Sequence, residues 1–466
     1  MTAWALRELR RSAGRYAASV AVVAVVTTFA VLLITAIGAF TGAARAQGAD
    51  VGTAKAVLEV VGGVFLGIAV TVAVIVVSNT FSTIAAGRIK DIAVLRLIGA
   101  TGKQVRRTAL VDGTAVGVVG AVTGIGAGLG LGAIGVKLMR SWAHLTVSFP
   151  WSVQLVVVPF GGALVATVLA AIVGVREVSG VSPSEAARSL PEGRPVSNAV
   201  RRRRIAAGVV LGGLGLALLV CGVLVGYAMP PLGLMVAFFG GLLTSIGVVL
   251  AAPVILPPLV SLVARLAPRA AAPRLAAANL RHDAVRTSRT VLAVMIGVTV
   301  LTMFQVAGNM AVMSFRSYTR PVQDMEQVQQ AIRGMLVAVD VLTSFSVVVA
   351  AIGLASTLAI SVLQRRRELG TLRAVGFTGS QARSMLLTES LLVAGTGAVG
   401  GVVLGSLFGW VGAVSAYGKY ADRTLQLPWL FVLAVAAGAL VLGVVASLAP
   451  GRRASRVPPA VALMDI

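Results

Sequence analysis

Long apolar runs separated by short polar segments dominate this chain. A helix that crosses a bilayer needs about 20 mostly apolar residues, and ten runs reach that length. They lie at approximately 17–40, 57–80, 109–134, 152–175, 205–228, 232–256, 291–313, 335–362, 385–411 and 428–450. Pro253, Pro257 and Pro258 stand where the sixth run is expected to end. The pattern predicts an all-α polytopic membrane protein with about ten transmembrane helices.

The charge balance adds a defined orientation to this picture. Lys and Arg number 40 against 16 Asp and Glu, in a chain that is 57% hydrophobic and only 12% charged. The cations gather before the first run, after the last run and in every second loop between them. Because cytoplasmic loops carry such an excess, both termini are predicted to be cytoplasmic. Composition excludes a soluble enzyme, and we attribute the cations to topology, so no nucleic-acid partner is expected.

Residue types that support catalysis or metal binding are scarce. Cys221 is the single cysteine, and His144 and His282 lie far apart, so neither a disulfide nor a Cys- or His-based metal site is expected. Ionisable groups near the ends of apolar runs are candidate functional groups inside the membrane. They are Glu59, Asp112, Asp340 and Glu389. Each of them could instead reach the interface or complement a helix N-terminus.

The two ends of the chain repeat each other. Seven positions from Arg88 to Thr101 recur at one constant offset, which relates Arg88 to Arg365 and also Asp112 to Glu389. Near the start of each repeat, Arg15 pairs with Arg289 at a slightly shorter offset. We therefore predict two parallel four-helix repeats that flank a central two-helix hairpin. The corresponding segments are 1–190, 191–270 and 271–466.

The loop after the second span of each repeat carries the most informative pattern. The first loop motif is residues 88–101, and the second loop motif is residues 365–378. Each contains a short amphipathic helical pattern, a glycine break and the start of a second basic helix. Gly99 and Gly376 are expected to end the short helix in a left-handed conformation. Thr101 and Thr378 are expected to cap the helix that follows.

Both loop motifs read Arg-x-x-[Asp/Glu]-[Ile/Leu]-x-x-Leu-Arg-x-[Ile/Val]-Gly, and Pro-x-x-Ala follows at 183–186 and 459–462. This combination resembles the FtsX-like permease family of ABC transporters. The resemblance implies that the loop motifs dock on a cytoplasmic ATPase subunit, two copies of which would bind ATP and Mg²⁺. The residues it assigns to docking are Arg88, Asp91, Leu95, Arg96 and Gly99, with Arg365, Glu368, Leu372, Arg373 and Gly376. Asp91 stands where the family usually has Glu.

The same resemblance implies a transport subunit rather than an enzyme, placed in a bacterial plasma membrane and without a cofactor of its own. Hydrolysis of ATP by the partner would drive export or extraction of a lipophilic or amphipathic substrate, or mechanotransmission. The loops at 41–56 and 314–334 are too short for the extracytoplasmic domain that the family often carries. Two alternatives stay open: an ion-coupled secondary transporter that uses Glu59 and Asp340, and a non-transporting membrane signalling scaffold.

Overall fold

The computed structural model of the protein describes residues 13–46, 52–87, 101–143, 149–176, 198–266, 271–282, 284–318, 376, 378–421, 424 and 429–454. Within these ranges the secondary structure is helical and contains no strand. The helices are α1 Ala13–Ala46, α2 Gly52–Gly87, α3 Gly102–Ala143, α4 Gln154–Arg176, α5 Asn198–Ala228, α6 Pro230–Val263, α7 Ala271–His282, α8 Ala284–Tyr318, α9 Gly379–Tyr417 and α10 Trp429–Ala454. Two short 3-10 turns, Ala264–Leu266 and Gly418–Tyr420, follow α6 and α9.

Eight helices in the described ranges are long and apolar enough to cross a membrane. They are α1 to α6, α8 and α9, and they coincide with eight of the ten predicted runs. The run at 335–362 lies outside the described residues. The last run falls on α10, Trp429–Ala454, which is 26 residues long. The all-α polytopic class is confirmed, and the count of ten stays a prediction.

One predicted helix end is wrong. The helix α6 runs through Pro253, Pro257 and Pro258 and ends only at Val263. Proline removes a backbone hydrogen bond, which usually stops a helix in water. Membrane helices tolerate internal proline because neighbouring helices and polar side chains satisfy the freed carbonyl groups.

The helices form two compact units, Met1–Glu192 and Gly193–Ile466. In the first unit, α3 packs along α1 and α4, and α2 packs on α4. Glycines at every fourth position bring α3 against α1. A Cβ atom on Gly120 would lie 2.7 Å from the Cβ of Val23, while Gly126 and Gly130 face open space. The glycine run therefore allows close helix packing on only one of its faces.

The second unit contains the same contact between α9 and α8. A Cβ atom on Gly397 would lie 2.6 Å from the Cβ of Val294, and one on Gly401 would lie 2.6 Å from the Cβ of Val298. Gly397 is related to Gly120 by the same offset that relates the two loop motifs. The packing of α9 on α8 thus repeats that of α3 on α1, glycine for glycine.

The glycines of α3 and α9 pack on α1 and α8. The offset that relates α1 to α8 is shorter than the offset that relates α3 to α9. Val23 packs on Gly120 as Val294 packs on Gly397, so Val23 corresponds to Val294. The same offset makes Arg286 the counterpart of Arg15. The predicted pairing of Arg15 with Arg289 is therefore wrong. The Leu-Arg pair at 280–281 that supports the predicted pairing belongs to α7, and α8 starts only at Ala284. Because α7 and α8 are separate helices, an offset that fits residues of α7 does not apply to residues of α8.

The two helices of the central hairpin, α5 and α6, pack on each other through a row of mostly small residues, the hairpin seam. In α5 and α6 the facing positions alternate in steps of four and three residues, as in an antiparallel coiled coil. Gly208, Gly212, Gly215, Leu219, Gly222 and Gly226 lie opposite Ala251, Gly247, Thr244, Gly240, Ala237 and Gly233 in that order. The two backbones approach closely, since a Cβ atom on Gly240 would lie 2.7 Å from the amide nitrogen of Leu219.

The hairpin packs on helices of the second repeat. The Ser288 hydroxyl on α8 donates a hydrogen bond to the Ala252 carbonyl oxygen on α6, at 3.1 Å. Val260 of α6 is buried in one apolar core with Val294. At the far end of the hairpin, a Cβ atom on Gly226 would lie 2.6 Å from the carbonyl oxygen of Ser415 on α9. The hairpin and the described helices of the second repeat therefore form one compact unit.

Candidate coupling site

Most of the predicted docking residues lie outside the described part of the chain. They are Arg88, Asp91, Leu95, Arg96, Gly99, Arg365, Glu368, Leu372 and Arg373, and the carboxylate candidate Asp340 lies outside it too. Gly376 is described and has a backbone φ of 100°. This is the left-handed region that glycine favours, as predicted for the end of the second loop motif. The structure further describes the helices that follow both loop motifs.

Both of these helices begin with the same reciprocal cap. At the start of α9, the Gln381 amide donates to the Thr378 hydroxyl at 3.3 Å, and the Thr378 amide donates to the Gln381 side-chain oxygen at 2.9 Å. At the start of α3, Thr101 and Gln104 make the same two bonds, at 3.4 and 2.8 Å. The two predicted threonine caps are confirmed, and each is one half of a capping box.

The first two turns of these helices carry exposed cations. Arg106 and Arg107 are exposed on α3, and Arg383 is exposed on α9. The caps and these arginines mark the same end of both helices, directly after the loop motifs. Each loop motif is therefore followed by a helix with a capped, basic start. Further along that helix, glycines pack against the neighbouring helix.

Asp112 links three helices of the first unit. It is buried on α3, and its Oδ2 accepts a hydrogen bond of 2.8 Å from the Tyr16 hydroxyl on α1. The Tyr16 ring also packs against Phe81 of α2, with 5.7 Å between ring centroids. A carboxylate predicted as an intramembrane candidate is thus part of a helix–helix junction near the start of α3.

The other two described carboxylates are Glu389 and Glu59. Glu389, its counterpart on α9, is also buried. At the register of Tyr16 the second repeat has Thr287, whose hydroxyl donates to the Leu280 carbonyl oxygen on α7 at 2.8 Å. Glu59 is exposed and stands at the first residue of the apolar stretch of α2, Glu59–Ser82.

Sequence reasoning did not find Tyr16 or the capping glutamines. The glutamines have a local signal, because Thr-x-x-Gln ahead of an apolar run is a capping-box pattern. Tyr16 has only the weak signal of a polar tip at the start of an apolar helix. Within the described ranges, no three His, Cys, Asp or Glu side chains come together as metal ligands.

These observations define a class of protein: an all-α polytopic membrane protein with two helix pairs that pack alike, each containing a capped helix after a basic loop motif. Comparison with known families gives its particular identity. Residues 63–183 and 341–459 match the family model of the FtsX-like permease C-terminal region, and each match includes one loop motif. The chain belongs to the FtsX-like permease family.

Similar proteins are named as transport components. The chain is 35% identical over 120 residues to the macrolide export ATP-binding/permease protein MacB of Hyphomonas neptunium, covering 26% of this chain and 18% of that protein. It is 31% identical over 139 residues to the lipoprotein-releasing system transmembrane protein LolC of Haemophilus influenzae, covering 29% of this chain and 35% of LolC. The matched segments thus span about a fifth of MacB and about a third of LolC.

Proposed function

We propose that this chain is the permease subunit of an ABC transporter. A separate cytoplasmic ATPase would bind ATP and Mg²⁺ and hydrolyse the nucleotide, and the chain itself would hold no cofactor. Closure of two ATPase copies would move the helical bundles as rigid bodies and export or extract a lipophilic or amphipathic substrate. The protein would lie in a bacterial inner membrane with both termini in the cytoplasm.

The observation that carries this proposal is the duplicated helix start after each loop motif. Thr101 and Thr378 cap α3 and α9 with the same bonds, and Gly124 and Gly401 seat these helices on α1 and α8. A force applied to either loop motif would therefore reach a rigid helix pair directly. Family membership supports the proposal independently, because the relatives include proteins named as ATP-binding export permeases.

Docking would rest on the carboxylate and the apolar face of each loop motif. Asp91 and Glu368 would bind donors on the ATPase, and Leu95 and Leu372 would enter its groove, as in other helix-in-groove contacts. The arginines Arg88, Arg96, Arg365 and Arg373 would border that contact, and Gly99 and Gly376 would end the short helix.

The test is co-purification with the ABC ATPase encoded nearest to this chain. Wild type is compared with an Asp91→Ala/Glu368→Ala double variant, and Glu59→Ala serves as the matched control that loses a carboxylate elsewhere. We expect stoichiometric ATPase with wild type and Glu59→Ala, and at least a tenfold loss with the double variant. Equal retention by all three proteins would refute the docking role of the two carboxylates.

Two outcomes lead to the alternatives. If wild type retains no ATPase, and protonophore-sensitive flux depends on Glu59 and Asp340, the protein is an ion-coupled transporter. If the ATPase binds but no flux occurs in reconstituted vesicles, the protein is either a non-transporting signalling scaffold or an ABC permease that acts by mechanotransmission.

A further inference from the structure

A buried hydrogen bond joins two helices of the first unit. Tyr16 and Asp112 are 4% and 8% exposed, and the bond between them joins α1 to α3. A polar pair removed from water in this way favours one fixed geometry, because separation would leave both groups unsolvated. The bond therefore restrains how α1 moves relative to α3.

The hydrogen bond between Tyr16 and Asp112 involves the helices at both ends of the first loop motif. Asp112 lies about three helical turns beyond Thr101, which places it roughly 16 Å along α3 from the cap. Phe81, which packs on the Tyr16 ring, is six residues before the end of α2 at Gly87. The helix that enters the loop motif and the helix that leaves it thus meet α1 at Tyr16.

The second repeat uses its equivalent position differently. The register of the glycine seams places Thr287 where the first repeat has Tyr16. The Thr287 hydroxyl donates to α7 through Leu280, so it connects α8 to the short helix that precedes it. The hydroxyl at this position therefore binds α3 in one repeat and the preceding helix in the other.

We propose that Tyr16 and Asp112 are positioning residues that make α1 follow the first loop motif when the motif is displaced. This proposal rests on the permease function proposed above, in which the ATPase displaces the loop motifs. It adds that this pair holds α1 on α3 next to the first loop motif, so that α1, α2 and α3 move as one body.

The test measures the distance between α1 and α3 directly. In a Cys221→Ala background, spin labels are placed on two exposed positions by Ala17→Cys and Arg107→Cys, and the protein is held in lipid nanodiscs. We expect one narrow distance distribution in wild type. Tyr16→Phe removes the hydroxyl and keeps the ring on Phe81, and it should at least double the width of that distribution.

Three control variants separate positioning from general stability. Asp112→Asn keeps an oxygen acceptor for Tyr16 and should retain the narrow distribution, whereas Asp112→Leu should broaden it. Thr287→Val removes the corresponding hydroxyl of the second repeat and should leave the α1–α3 distance unchanged. A narrow distribution in both Tyr16→Phe and Asp112→Leu would overturn the proposal.

A second arm adds the ATPase and a non-hydrolysable ATP analogue. With wild type, both labels should move together, so the narrow distance persists when nucleotide binds. With Tyr16→Phe, the ATPase should still co-purify, but the α1–α3 distance should shift when nucleotide is added. Failure of wild type to bind any ATPase would refute the permease function, and the first arm would still decide whether the two residues hold α1 on α3.

Discussion

The Ser288 hydroxyl on α8 and the Ala252 carbonyl oxygen on α6 form a hydrogen bond of 3.1 Å between the central hairpin and the second repeat. Ser288 is only 1% exposed, so water cannot replace this bond. The hairpin is therefore attached to the first helix of the second repeat by a polar contact as well as by the apolar core around Val260.

Removal of this hydroxyl should weaken the second unit. We expect Ser288→Ala to lower the free energy of unfolding by about 1 kcal/mol, because the Ala252 carbonyl loses a buried partner. Thermal denaturation of the protein purified in detergent measures the change. Ser261→Ala is the control, since its hydroxyl donates to Pro258 within the same helix near the surface. An equal loss of stability in both variants would contradict the interpretation.

Adjacent glycines in the hairpin provide a sharp test of its seam. A Cβ atom on Gly240 would lie 2.7 Å from the Leu219 amide nitrogen, whereas one on Gly241 would have nothing within 4 Å. Gly240→Ala should therefore push α5 and α6 apart and cost about 1–3 kcal/mol. Gly241→Ala should be neutral or slightly stabilising. The two variants are compared by the fraction of protein that stays monodisperse after heating. Equal fractions for both would contradict close packing of α5 on α6 at Gly240.

The packing of α9 on α8 makes a parallel prediction. Gly401→Ala should destabilise the protein, because its Cβ atom would lie 2.6 Å from the Val298 Cβ and 2.7 Å from the Met295 carbonyl oxygen. Gly412→Ala, on the same helix but facing open space, is the control. We expect a lower melting temperature for the first variant only. If Gly412→Ala were the more harmful change, the assigned contact face of α9 would be wrong.

The capping boxes predict a local effect rather than a global one. Thr378→Ala should raise amide hydrogen exchange in the first turn of α9, with a loss of about 1 kcal/mol in local stability. Thr378→Ser keeps the hydroxyl and should restore protection. Hydrogen exchange with mass spectrometry measures peptides from this region. Unchanged exchange in Thr378→Ala would mean that the cap contributes nothing to the helix start.

The orientation of the hairpin can be tested with the single native cysteine removed. In a Cys221→Ala background, Met229→Cys lies in the turn between α5 and α6, and Arg265→Cys lies after α6. Both positions are exposed. If both termini are cytoplasmic, a membrane-impermeant maleimide added outside intact cells should label only the first. Labelling of Arg265→Cys alone would reverse the topology.

Features that depend on neighbours along the chain could be predicted from the sequence. The apolar runs follow from composition over about 20 residues, and the caps at Thr101 and Thr378 follow from local hydrogen-bonding chemistry. The family assignment followed from the loop motifs, which are likewise local patterns.

Features that depend on contacts between helices could not be predicted. Tyr16 and Asp112 lie far apart along the chain, and nothing in either local pattern indicates that they meet. The sequence has glycine at every second position from Gly124 to Gly132, but only the structure shows that Gly126 faces away from α1. The predicted end of α6 was wrong because the surrounding helices decide whether a membrane helix tolerates proline.

The change of register between the repeats has an evolutionary consequence. The shorter offset that pairs Val23 with Val294 holds as far as Val306, and the longer offset holds from Arg365 onward, so the second copy carries six additional residues between these points. Gene duplication and fusion, followed by an insertion or a deletion in one copy, would leave such a difference in length. A half-length ancestor that paired with itself would have carried every mutation twice. Fusion would remove that restriction and let the two halves differ, as they do at Tyr16 and Thr287.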